Sequence, residues 1–316
     1  MEYRQLGNSG VSVSTIGLGT NRFGSDAVPQ AQVNEIIAAA LDAGINFIDT
    51  ADMYTNGESE RTLGETLKGR WDQVVLATKV FFPTGEGPND KGASRYHIMN
   101  AVEASLSRLQ SDHIDLYYIH RWDESTPIQE TLRALDDLIR QGKVRYLGAS
   151  NFASWQLARA NLLADIKGWN RFVALQSHYH LLERGVETEV LPFCAADGVG
   201  FVPYFPLAGG FLTGKYRRGQ SAPSGSRGES SQYVQDYMTD KNFTVIEKLE
   251  QWAAERGRVL YELAEAWLLA QSAVCSVISG ATKVEHVISN ARAADWVLSA
   301  EELSEIENLT WFKNEI

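Results

Sequence analysis

The sequence predicts an α/β fold, a (β/α)8 barrel with an N-terminal β-hairpin plug and a long loop after the seventh barrel strand. Three observations carry that expectation. Short apolar runs alternate with helical patterns roughly eight times along the 316 residues, which argues for parallel strands joined by helical crossovers. Most of the runs are apolar throughout rather than alternating, as expected for strands covered on both faces. Three successive runs end in chemically capable side chains: Phe47-Ile48 in Asp49, Val74 to Thr78 in Lys79, and Ile114 to Ile119 in His120. The C-terminal rim of such a barrel is where chemistry is done, and closure into eight strands fits the count and length better than an open sheet.

Taken in order, residues 2–13 read as a short hairpin, with Asn8-Ser9-Gly10 as its turn and Val11-Ser12-Val13 alternating. Thr15-Ile16-Gly17-Leu18-Gly19 is the first barrel strand; its glycines do not make a dinucleotide fingerprint, because a polar loop and not a helix follows. Helix 30–43 places Val33, Ile36, Ile37 and Ala40 on one side and stops at Gly44. Strand 46–49 and helix 58–67 come next, then strand 74–79. Ser94 is suited to cap helix 95–110, whose stripe is Ile98, Val102, Leu106 and Leu109. Strand 114–120 precedes helix 127–141, which has Pro127 in its first turn and Gly142 after its end. Strand 144–149, helix 154–165, strand 172–177, helix 186–197 and strand 200–205 continue the rhythm. Segment 208–240 interrupts it and reads as too polar and Gly/Ser-rich for core, a lid or binding loop. Helices 241–256 and 260–271, strand 274–278, helix 284–293 and a tail helix 299–309 complete one domain over residues 1–316.

Composition narrows the function. With 44% hydrophobic and 22% charged residues the chain can bury a large core. A net charge of −11 argues against nucleic acid or a membrane surface as partner. Cys194 and Cys275 lack metal or redox spacing and read as small core residues in a reducing compartment. No apolar leader and no spanning run is present, so a cytoplasmic location is expected. His178 and His180, two apart, do not make a metal site by themselves; His97 and His113 read as helix-surface or capping residues.

Suppose Asp49, Tyr54, Lys79 and His120 converge. A phenol ionises near 10 and is a poor acid. A lysine cation beside it should lower that value, and an ionised Asp49 keeps the lysine charged. His120 can orient a substrate oxygen by a hydrogen bond. Such a group hands a proton to an oxygen gaining charge, so the reaction is reduction of a carbonyl. No side chain donates hydride, and a nicotinamide cofactor is implied.

At this point the motifs, from Leu18 to Asn290, resemble the aldo-keto reductase family. They are Gly-Leu-Gly-Thr at 17–20, Asp49-Thr50-Ala51 with Tyr54, Gly57-Glu58-Ser59-Glu60, Thr78-Lys79, Ile119-His120, Gly148-Ala149-Ser150-Asn151, Gln176, Pro206-Leu207-Ala208 with Gly214-Lys215-Tyr216, and Gly280 to Asn290. The resemblance implies a TIM barrel, carbonyl reduction to alcohols, and NADPH more often than NADH. It makes Tyr54 the general acid, tuned by Lys79 and Asp49, with His120 orienting the carbonyl. Ser150, Asn151 and Gln176 would hold the carboxamide, and Tyr204 would stack on the nicotinamide. Gly19, Thr20, Asn21 and Asp49 would lie beside the cofactor. Phe205, Pro206, Leu207, Ala208, Gly209 and Lys215 would line the pyrophosphate, with Arg227 at a loop position matching a family cofactor contact. Gly280, Thr282, His286, Ser289 and Asn290 would hold the adenosine end.

Two positions depart from many members, which carry arginine where this chain has His286 and glutamate where it has Ser289. The basic residues Lys215, Arg217, Arg218 and Arg227, with no acid before Glu229, offer a substitute for the missing arginine. Trp122 is a candidate wall of the substrate pocket. The stretch Gly92 to Ile98 is similar to the branch containing potassium-channel β-subunits, so a regulatory NADPH-binding subunit is the second reading. Those subunits carry asparagine where this chain has His120, which favours an enzyme acting on a small-molecule carbonyl. A barrel hydrolase or isomerase would want paired carboxylates or a metal cluster, and neither is found. The chain leaves room for a homo-oligomer.

Overall fold

The computed structural model describes residues 1–310. An antiparallel hairpin, β1 (Tyr3–Gln5) and β2 (Ser12–Ser14), precedes the barrel. Its Leu6 and Val13 are fully buried and join the cluster of side chains inside the barrel, so the hairpin plugs the end opposite the strand C-termini. The turn lies against backbone: a Cβ on Gly7, whose φ is +59°, would sit 2.5 Å from the Val173 carbonyl oxygen. Arg4 then ties the plug to the segment just before the last barrel strand, donating to the carbonyls of Leu269 (2.8 Å) and Val274 (2.9 Å).

Eight parallel strands close the barrel: β3 (Ile16–Gly19), β4 (Phe47–Asp49), β5 (Val75–Val80), β6 (Ile114–Ile119), β7 (Val144–Ser150), β8 (Phe172–His178), β9 (Gly200–Tyr204) and β10 (Val277–Gly280). They follow sequence order around the ring, and β10 pairs with β3. The helices cover the outside: α1 (Gln30–Asp42), α2 (Glu58–Thr66), α3 (Arg95–Leu109), α4 (Ile128–Arg140), α5 (Ser154–Lys167) and α6 (Val190–Asp197) follow the first six strands in turn. Two short helices, α7 (Arg227–Ser230) and α8 (Gln232–Gln235), then α9 (Asp240–Ala254) and α10 (Leu260–Leu269), lie between β9 and β10. Helices α11 (Val284–Ala293) and α12 (Ala300–Thr310) end the described chain.

Local signals work where expected. Ser94 Oγ accepts from His97 N at 3.2 Å and caps α3. Gly198 ends α6 in the left-handed region, at φ 68°. Tight interior packing also fixes residue size. A Cβ on Gly148 would lie 2.3 Å from Cε1 of Tyr118, a fully buried ring inside the barrel. Gly148→Ala is therefore expected to destabilise the fold by about 1–3 kcal/mol, read as a lower urea midpoint with unchanged slope.

Four expectations need correction. Segment 208–240 is not excluded from the core: Phe211, Leu212, Tyr216 and Val234 are buried and join the apolar cluster that includes side chains of α9 and α10. A 3-10 turn (Gly185–Glu187) replaces the first turns of helix 186–197. The last strand begins at Val277, because Val274 makes only an isolated bridge to Phe201 and gives its carbonyl to Arg4. His97 is buried and not on the helix surface.

Candidate active site

Strand parity builds the site. Phe47, Ala77, Tyr118, Ala174 and Val202 all point into the barrel. Side chains two residues further along a strand point the same way. Those positions are Asp49, Lys79, His120, Gln176 and Tyr204, so one layer of polar groups crowns the apolar interior. Asp49 and Lys79 are 2% and 0% exposed. Lys79 Nζ donates to Asp49 Oδ1 at 2.5 Å and to the Thr50 carbonyl at 2.8 Å. The same ammonium lies 3.4 Å from Tyr54 Oη and 5.0 Å from the Tyr54 ring centroid. Asp49 Oδ2 accepts from Gln176 Nε2 at 2.8 Å. The His120 ring stands edge-on to Tyr54, at 6.0 Å between centroids.

Electrostatics follow from burial and these contacts. Burial alone would lower the Lys79 ammonium, but Asp49 and Tyr54, by charge and hydrogen bond, outweigh that and hold it above its ordinary range. Lys79 is thus a permanent cation. His120 is pushed down to about 2, first by burial and then by the Lys79 charge. The imidazole is neutral throughout the physiological range. Tyr54 departs from the expectation. Burial raises its phenol above 10, and the opposing pull of Lys79 does not reverse the shift. The resting phenol therefore holds its proton firmly, and Lys79 stands ready beside any charge that forms on it.

Other expected residues surround this group. Asn151 follows β7 with φ at +58°. Its Oδ1 accepts from Tyr204 Oη at 2.9 Å, and its Nδ2 donates to the His120 carbonyl (3.1 Å) and Ser150 Oγ (3.0 Å). The Tyr204 ring stacks on His178 at 5.4 Å and 13°, and His178 Nε2 meets Tyr233 Oη at 2.7 Å. Thr20 faces the barrel wall. It is fully buried, and its hydroxyl donates to the Asp49 carbonyl at 2.9 Å. Asn21 and Gly19 are half-buried at the rim. Trp122 is half-buried and packs edge-on against Phe152 (5.2 Å) and Trp155 (5.6 Å).

Backbone strain marks the same rim. Thr55, Asn56, Asn151, Phe205 and Ala208 all have φ between 47° and 58°. Each lies in a loop that follows the C-terminal end of a barrel strand. A non-glycine residue in this region is held there only by its surroundings.

A second, cationic region flanks β9 and β10. Pro206, Leu207, Ala208 and Gly209 enter a 3-10 turn (Ala208–Thr213). Lys215 Nζ lies over it, 3.2 Å from where a Gly210 Cβ would be. His286 is lowered by burial, then by the charges of Lys283 and Lys215. Its Nδ1 accepts from Thr282 N at 3.3 Å. Ser289 is half-buried and Asn290 buried on the same helix, and Gly280 is exposed at the end of β10. Arg227 is lowered by burial and then by Arg22. Among the described residues neither arginine has an acidic partner. The basic loop itself needs correction. Arg217 pairs with Glu250 at 2.5 Å, and Arg218 pairs with Asp240 (2.9 Å) and Glu247 (3.0 Å). Among the described residues, Lys215 and Arg227 remain as the loop's unmatched cations.

Three neighbours of the site were not singled out in the sequence. Phe82 packs 4.9 Å from the His120 ring, and its position three residues after Lys79 was the available signal. Arg22 carried only its place next to Asn21. Asp52, between Asp49 and Tyr54, is buried.

Comparison with known proteins identifies the family. The model of the aldo/keto reductase family matches residues 15–310. A probable voltage-gated potassium channel subunit beta of Arabidopsis thaliana is 37% identical over 302 residues, covering 93% of this chain and 92% of that protein. An uncharacterized oxidoreductase of Bacillus subtilis, YrpG, is 37% identical over 321 residues, covering 98% and 96%. The versiconal hemiacetal acetate reductase of Aspergillus parasiticus is 31% identical over 334 residues, covering 97% and 96%. On this match, over nearly the whole barrel, the chain belongs to the aldo/keto reductase family.

Proposed function

We propose that the protein is an NADPH-dependent reductase that converts aldehydes or ketones to alcohols, with Tyr54 as general acid. The observation that carries the reading is the Asp49–Lys79–Tyr54 contact beside a neutral His120. Family membership and the reductase relatives support an oxidoreductase in general. NADPH, when bound, supplies the hydride that goes to the carbonyl carbon. Tyr54 gives its proton to the carbonyl oxygen, and the phenolate that results is countered by Lys79. His120 offers a neutral hydrogen bond to the same oxygen, and Phe82 and Trp122 wall the pocket.

The residues present suit the cofactor. Ser150, Asn151 and Gln176 offer hydroxyl and amide groups to a carboxamide, and Tyr204 presents a ring at the rim. The turn at Ala208–Thr213 with Lys215 suits a pyrophosphate, while Lys283, Arg227 and Arg22 offer positive charge for a 2′-phosphate and the lowered, neutral His286 offers a hydrogen bond. One charge-assisted hydrogen bond is worth about 1.5–3 kcal/mol, enough for a tenfold preference or more. NADPH should therefore bind at least about tenfold more tightly than NADH, with a steeper loss of affinity on added salt. Arg227→Ala should weaken NADPH and leave NADH nearly unchanged. Equal affinities with equal salt slopes would defeat this preference.

The reaction itself is tested by following NADPH consumption with a panel of aldehydes, ketones and quinones. Turnover with at least one class is expected. A second reading, a cofactor-binding regulatory subunit, takes its support from the relative named as a channel subunit. Tight NADPH binding with no turnover across the panel would favour it. No helix among the described residues is long and apolar enough to cross a membrane.

A further inference from the structure

Asp52 sits two residues before Tyr54, on the segment that carries the phenol to the rim. It is 2% exposed. Neither carboxyl oxygen has a side-chain partner. Its backbone N–H donates to the Lys79 carbonyl at 3.2 Å, so its position is fixed to the strand that holds Lys79. The buried Tyr117 hydroxyl, from β6, is also unpartnered; burial raises it, and an ionised Asp52 would raise it further.

The charged groups around Asp52 are already matched. From α2, Glu60 is fully buried and accepts from Thr78 Oγ1 at 2.6 Å. From α3, Arg108 Nε pairs with Glu60 at 2.7 Å. From β5, Lys79 pairs with Asp49 at 2.5 Å. Each cation in reach therefore has its own carboxylate, and Asp52 would be a buried charge without a countercharge. A buried unpaired carboxylate takes a proton instead. Burial first, then the Glu60 charge, push Asp52 up to about 8, against the smaller pulls of Arg108, the Met53 backbone N–H and Lys79.

We propose that Asp52 is a positioning residue for the Tyr54 proton, held as a neutral carboxyl at neutral pH and able to weaken the phenol as an acid once it ionises. The charge of Asp52 raises the Tyr54 phenol further. Ionisation thus opposes formation of the phenolate that proton transfer leaves behind. The proposal rests on Tyr54 as the proton donor. It also carries a cost in stability, with a definite sign. The unfolded chain loses the Asp52 proton near 4, whereas the folded chain keeps it to about 8. Stability contributed by this group therefore falls as pH rises through that window, and levels off above it.

Asp52→Asn keeps the shape and removes the ionisation. The wild-type protein should lose several-fold more of its reduction rate between pH 7 and pH 9 than the variant, because only the wild-type carboxyl ionises in that range and raises the phenol further. The variant should also gain melting temperature over wild type, and the gain should be larger at pH 8.5 than at pH 5. Superimposable pH–rate profiles would overturn the proposal. Independently, carboxyl carbon NMR of the wild-type protein reads the Asp52 titration directly, assigned through its backbone amide if the variant does not fold. Titration near 8 supports the proposal, and titration near 4 overturns it. Neither the NMR nor the melting experiment depends on Tyr54 being the acid; failure of that reading would appear as turnover retained by Tyr54→Phe.

Discussion

Tyr54→Phe should abolish steady-state carbonyl reduction while NADPH still binds and quenches tryptophan fluorescence. The substitution removes one oxygen and leaves the ring in place. That oxygen is the acidic group within reach of Lys79, at 3.4 Å. General acid catalysis contributes about 10²–10⁴-fold, so kcat should fall by at least about 10². The cofactor constant should hold, because the carboxamide, pyrophosphate and 2′-phosphate contacts proposed above come from segments other than the one that carries Tyr54. His120 does not replace the lost acid. A group pushed down to about 2 has no proton to give at pH 7 beyond its neutral N–H. Near-normal turnover by the phenylalanine variant would remove Tyr54 from the mechanism.

Lys79→Met should cost turnover and stability together, for different reasons. Without the ammonium, the phenolate left by proton transfer has no countercharge, and a loss of about 10²–10³ in kcat is expected. Asp49 is left buried and unpaired at 2% exposure. Breaking a buried ion pair by removing one partner costs about 3–5 kcal/mol, visible as a large drop in melting temperature. The double variant Lys79→Met/Asp49→Asn separates the two effects. It should regain most of the melting temperature, because the amide that replaces the carboxylate carries no charge, while turnover stays low. Recovery of turnover in the double variant would mean that Lys79 serves only to neutralise Asp49.

The barrel was legible because its strands are apolar runs closed by specific helix signals, and β3 to β10 fall near the expected runs. The strand-end carboxylate, ammonium and imidazole were legible for the same reason: a polar side chain ending an apolar run stands out, and strand parity brings Asp49, Lys79 and His120 to one face. What escaped reading depends on contacts distant in sequence. The partners of Arg217 and Arg218 come from α9, so the loop looked more basic than it is. Phe211, Leu212, Tyr216 and Val234 are buried, but glycine and serine around them hide their periodicity. The phenol's shift depends on how much burial surrounds it, which composition does not reveal. Asp52 resembles an ordinary loop acid until Glu60 and Arg108 are seen to pair with each other.

The order of strands around the ring has a consequence for the chain as it is being made. The first barrel strand, β3, is flanked by β4 and by β10, which is synthesised about 260 residues later. At roughly 5–20 residues per second, β3 waits on the order of 13–50 s for its second neighbour. During that interval one edge of a growing parallel sheet carries unpaired N–H and C=O groups, the condition that invites pairing with another chain. The hairpin does not shorten the wait, because the carbonyls that receive Arg4 belong to Leu269 and Val274. Ribosome-bound chains stalled before Gly280 should therefore remain open to proteolysis and association, and chains released beyond it should become resistant in one step.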